Sequence, residues 1–78
     1  MRKTLRSDKA LKMQSQLIAA RATAGLTQVE LSQKLKKPQS FVSYYENGGR
    51  RLDVVEFIEI CTVLGADPAK IIKQLQDK

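Results

Sequence analysis

Seventy-eight residues carry a net charge of +6, with 42% apolar side chains, 5% aromatic side chains, one cysteine and no histidine. That length suits one domain with a small but workable core. The composition excludes an internal disulfide, a Cys/His metal site and any mechanism that needs an imidazole base.

The charge is uneven. Residues 1–51 hold eleven Lys/Arg and three Asp/Glu, whereas residues 52–78 hold three and five. A basic half beside a slightly acidic half suits a polyanionic partner on one side. A lysine-rich surface that merely keeps a small protein soluble would look the same. The basic start MRKTLRS is followed by no apolar segment of signal-peptide type, and no apolar run approaches the ~20 residues of a membrane helix. A cytoplasmic protein with no membrane association is expected.

Every strong local signal is helical, and no alternating strand pattern appears. Residues 1–6 read as a flexible basic arm, with Arg2, Lys3 and Arg6, and residues 7–78 as a single domain. The first helix begins near Ser7 or Asp8 and ends at Gly25. At about 100° per residue, Met13, Leu17, Ala20, Arg21 and Ala24 share one arc. Thr27 and Glu30 have the spacing of a capping box, which opens a second helix running to about Leu35. Lys37 precedes Pro38, which disfavours helical geometry at Lys37 and suits the first turn of the next helix. That third helix is expected from Pro38 to Asn47, with Asn47-Gly48-Gly49 as its stop.

Asp53 caps a fourth helix with Glu56 three residues on. Phe57, Ile60, Cys61 and Leu64 form its buried stripe, and Gly65 ends it. Asp67-Pro68 then opens a fifth helix carrying Ile71, Ile72 and Leu75. Cys61 lies inside an apolar stripe and reads as a core thiol. Asp53, Glu56 and Glu59 read as caps and solvated surface.

The third helix carries the functional signal. On its wheel, Pro38, Phe41, Val42, Tyr45 and Glu46 face inward. Gln39, Ser40, Ser43, Tyr44 and Asn47 face outward or lie at the edge. The outer groups are neutral hydrogen-bonding amides and hydroxyls, the chemistry that reads base edges. Cations surround them at Lys34, Lys36, Lys37, Arg50 and Arg51, where they suit phosphates. A solvated helix face is also polar, and the wheel alone leaves both readings open. The short KKP junction adds a second signal, because two short helices joined by a turn make a helix-turn-helix. Arg21 and Glu46 each stand on an apolar arc. They should pair, since a lone buried charge is costly.

The stretches AARATAGLTQVELSQKL, PQSFVSYYENGGRRL and VVEFIEICTVLGADP occur in the order and spacing of a known family. On these residues the segment from Leu17 to about Leu75 resembles the Cro and lambda-repressor-like helix-turn-helix family, also called the XRE family. The resemblance implies an all-α, compact five-helix DNA-binding domain with its helix-turn-helix at the second and third helices. It implies a sequence-specific transcriptional regulator of repressor type, acting as a homodimer on double-stranded DNA, with no catalysis, cofactor, metal or small-molecule ligand. An antitoxin or adaptor whose main partner is another protein is the alternative.

Carried over by position, Gln39, Ser40, Ser43 and Tyr44 are the base-reading residues. Gln28 would contact the DNA backbone and buttress Gln39. Asn47, Arg50 and Arg51 match the family's phosphate-contacting turn, whereas Lys36 and Lys37 are expected on the backbone only as cations beside the reading helix. Arg21 and Glu46 match the family's structural ion pair. Three positions depart from the pattern. Ser32 replaces a small alanine, Lys36 replaces a turn glycine, and Pro38 replaces the Ser/Thr cap of the reading helix, so that cap bond is missing.

Overall fold

A computed structural model describes residues 7–76 of the chain. The expected basic arm, residues 1–6, and the last two residues of the expected domain lie outside the described residues. Among the described residues the chain forms five helices: α1 (Asp8–Ala24), α2 (Gln28–Lys34), α3 (Phe41–Glu46), α4 (Val54–Leu64) and α5 (Pro68–Gln76). No helix among them is long and apolar enough to cross a membrane.

Short-range chemistry sets most boundaries. Ser7 Oγ accepts from the Ala10 amide at 3.1 Å and starts α1. Thr27 and Glu30 form a reciprocal box, with Glu30 N to Thr27 Oγ1 at 3.0 Å and Thr27 N to Glu30 Oε1 at 2.8 Å. Asp53 and Glu56 repeat it at the start of α4, at 2.7 and 3.0 Å. Each box satisfies two amides that a helix start leaves without carbonyl partners.

The core joins α1 to α3, α4 and α5, with α2 laid against α3. Leu17, Leu31, Val42, Ile60 and Cys61 are completely buried, and Phe41, Tyr45, Phe57 and Ile71 nearly so. Burying each large apolar side chain contributes roughly 1.5–3 kcal/mol relative to exposure. Burial also pushes the Cys61 thiol above its usual range. The first helix's apolar arc is narrower than its periodicity suggests. Leu17 is buried and Met13, Ala20 and Arg21 half-buried, but Ala24 is exposed at the last turn. Ile72, expected in the buried stripe of the fifth helix, is 44% exposed, because Ile71 takes the core-facing position beside it. Lys9 and Lys12 donate to the Leu75 and Gln74 carbonyls at 2.8 and 2.9 Å. These bonds satisfy carbonyls of the last turn of α5 from the first turns of α1.

The third helix starts later than its sequence suggests. Residues 38–40 form a tight turn in which the Phe41 amide donates to the Pro38 carbonyl at 2.9 Å. The four-residue ladder begins only with Tyr44 N to Ser40 O at 3.0 Å. Pro38 therefore sits outside the helix and is exposed, not on its inner face. Proline fixes φ for a turn as well as for a helix start, so its presence did not choose between them.

Candidate nucleic-acid interface

The junction between α2 and α3 follows from its backbone bonds. Lys36 N donates to Gln33 O and Lys37 N to Ser32 O, each at 3.0 Å. That double closure needs a residue with positive φ after the helix, a place usually given to glycine. Lys36 fills it with φ 59°, the sole positive-φ non-glycine among the described residues. Lysine there costs of order 1 kcal/mol against glycine. The turn keeps an exposed cation in exchange.

No side chain of its own caps α3. The sequence marked Ser32 as a departure and the α3 cap as missing, and the two are connected. Ser32 is completely buried, and its Oγ accepts from the Val42 amide at 3.2 Å. A hydroxyl from the preceding helix thus replaces the cap that Pro38 does not supply. Replacing Ser32 with alanine should cost about 1 kcal/mol, the usual worth of a cap bond. Urea unfolding of the variant at neutral pH measures it, and an unchanged midpoint would remove the cap role.

From Gln39 to Glu46 the residues alternate in pairs. Gln39 and Ser40 are exposed, Phe41 and Val42 buried, Ser43 half-buried and Tyr44 exposed, and Tyr45 and Glu46 buried. Tyr44 stands 54% exposed. Ser43 Oγ donates to the Ser40 carbonyl at 3.0 Å, which leaves the oxygen's lone pairs to accept. The segment ends as the sequence indicates. Gly49 N donates to Tyr44 O at 2.9 Å and Gly48 N to Tyr45 O at 3.3 Å. Gly48 takes φ 86°, a value that suits glycine alone without strain. Asn47 Oδ1 accepts from Gly49 N at 2.9 Å, so its side chain shapes the turn.

Behind this surface Glu46 gathers three donors. Arg21 Nε reaches Oε2 at 2.7 Å and Arg21 Nη2 reaches Oε1 at 3.0 Å. Gln28 Nε2 reaches Oε1 at 2.8 Å. Arg21 Nη1 also donates to the Leu26 carbonyl at 2.9 Å. The Arg21 and Glu46 side chains are only 17% and 4% exposed. This paired fork gives the buried carboxylate and the half-buried guanidinium partners and ties α1, α2 and α3 together. The Glu46 hydrogen bond holds the Arg21 guanidinium even further above its usual range. The periodicity gave no sign that Gln28 would join this pair. Beside it the Tyr45 hydroxyl is buried without a hydrogen-bond partner among the described residues, and burial pushes its pKa up.

Of the expected backbone-contacting cations, Lys36 and Arg51 stand exposed at the two turns flanking α3. Lys37 and Arg50 both approach the Phe41 ring, with Nζ and Cζ at 5.5 and 5.1 Å from its centroid. Tyr45 meets that ring edge-on at 5.6 Å. Arg50 is held by a carboxylate as well. Its two terminal nitrogens donate to Glu56 Oε1 and Oε2 at 2.9 and 2.8 Å, and Nη1 also reaches the Arg51 carbonyl at 3.0 Å.

That fork holds the Glu56 carboxyl down to about 2, aided by the Asp53 amide, against an ordinary 4.5. A depressed folded-state value stabilises the fold above the unfolded value and loses that stability as pH falls through the folded one. Glu56 should therefore contribute fully above pH 4.5 and lose its contribution between 4.5 and about 2. Thermal melts across that window should fall less steeply in Glu56→Gln than in the wild type. Equal slopes would assign acid unfolding to other groups.

Residues 17–71 match a family model described as Helix-turn-helix. Among solved structures, an XRE-family like protein from Pseudomonas syringae pv. tomato str. DC3000 is 43% identical. The match covers 88% of this chain and 84% of that one, with a TM-score of 0.83. No curated protein matches the chain. Sequence match and shared architecture agree over most of the chain, which belongs to the XRE-type helix-turn-helix family of DNA-binding regulators.

Proposed function

We propose that this regulator is a cytoplasmic repressor that binds operator DNA as a homodimer, each protomer placing α3 and its lead-in turn in a major groove. The observation that carries this reading is the pairwise alternation from Gln39 to Glu46. It turns amides and hydroxyls outward from a segment whose other side is locked into the core. Six helical residues span about 9 Å, which fits a groove about 12 Å wide. Gln39, Ser40, Ser43 and Tyr44 face the bases. Gln28, Lys36, Lys37, Asn47 and Arg51 flank them toward the phosphates. Repression then needs no catalytic group, because an occupied operator excludes other proteins.

Selection of bound duplexes from a random pool, followed by a salt titration of the winners, tests this. A sequence-specific binder enriches a two-fold symmetric site, and log affinity falls linearly with log salt at about 0.9 per phosphate contact. Failure to enrich any site would defeat the proposal.

One observation favours a protein partner in addition. Val54, Val55 and Ile58 on α4 are 70, 64 and 45% exposed. Neighbouring apolar side chains left in solvent suit a protein surface, either a second copy or the partner of an antitoxin-type module. Sedimentation of the pure chain separates the two, since only the first gives a dimer without a second protein.

A further inference from the structure

Arg50 lies on the cationic rim and suits phosphate by its place in the sequence, yet its geometry aims it elsewhere. Both guanidinium arms close on the Glu56 carboxylate, at 2.9 and 2.8 Å. A further bond fixes it to the Arg51 carbonyl, and its central carbon lies 5.1 Å from the Phe41 centroid. Glu56 is equally committed, since its Oε1 also accepts the Asp53 amide at 3.0 Å. The Glu56 side chain is only 11% exposed, whereas that of Arg50 is 42% exposed. The arginine thus carries an internal counter-ion before any DNA arrives.

We propose that Arg50 is a positioning residue, neutralised by Glu56 in both free and DNA-bound protein, which fixes the α3–α4 turn against Phe41 while the other cations hold the phosphates. This deepens the DNA-binding reading above and rests on it. A cation that neutralises a phosphate displaces a condensed counter-ion from DNA, and the salt dependence counts such displacements. A cation already matched by a fixed carboxylate adds nothing to that count. Glu56 therefore sets how strongly the rim grips DNA, by withholding one charge from it.

The test uses a random-sequence DNA duplex and the intact chain, with log affinity measured against log salt. In the double variant Arg50→Gln with Glu56→Gln, the net charge is unchanged, and the slope should equal that of the wild type. In Glu56→Gln alone, Arg50 is released, so the slope should steepen by about 0.9 and affinity should rise at low salt. Glutamine at 56 can still accept the Asp53 amide, and a cooperative melt above the binding temperature confirms the fold. If the double variant does not fold, the single variant decides. A double variant whose slope falls by about 0.9, or a single variant with an unchanged slope, overturns the assignment while leaving DNA binding intact. A wild type that shows no salt-dependent binding refutes the DNA-binding reading itself, and the proposal with it.

Discussion

Glu46→Ala should lose about 3–5 kcal/mol of folding stability, because the substitution strands the partly buried Arg21 guanidinium without its carboxylate. Three hydrogen bonds disappear at once, two from Arg21 and one from Gln28. Small domains are stable by only about 5–15 kcal/mol, so the variant should sit near the edge of folding. At about 4–8 °C per kcal/mol for a chain of this size, the melting temperature should drop by more than 10 °C. A second variant separates lost pairing from lost packing. Replacing Arg21 and Glu46 together with leucine and methionine removes both charges and keeps apolar volume, so it should recover most of the loss. Urea titrations of the two variants measure this. A single variant as stable as the wild type would contradict the structural role of the pair.

Gln39→Ala should behave in the opposite way, leaving stability within about 0.5 kcal/mol of the wild type while weakening recognition. Gln39 is exposed and lies in the turn before α3. Its side chain carries both an amide donor and a carbonyl acceptor, the pair that matches adenine in the major groove. Its loss should remove about 1–3 kcal/mol of discrimination at one base pair and leave preferences elsewhere unchanged. Competition binding against every single-base variant of the selected site reads this out. A uniform loss at every position would demote Gln39 to a general contact.

The sequence was most informative where chemistry is local. Thr27 with Glu30, and Asp53 with Glu56, are three residues apart, and each box formed as its spacing implies. The partnership of Arg21 with Glu46 could be anticipated over 25 residues because each charge stands on an otherwise apolar arc. The late start of α3 was not legible, since Pro38 and the residues after it suit a tight turn and a first helical turn equally well. The Ser32 hydroxyl capping α3, the Gln28 amide on Glu46 and the Arg50 fork on Glu56 share another cause. Each joins different elements through a side chain that has good local uses of its own. Glu56 already serves the α4 box, and only the folded turn brings Arg50 to both of its oxygens. Which elements meet determines such bonds, and periodicity within one element carries no trace of them.

On the proposed DNA-binding reading, the two-by-two alternation between Gln39 and Glu46 keeps the letters of recognition apart from the letters of architecture. Duplicate genes could drift at positions 39, 40, 43 and 44 toward new targets while 41, 42, 45 and 46 preserved the scaffold. Engineering the same four positions should retarget the domain with little repair elsewhere.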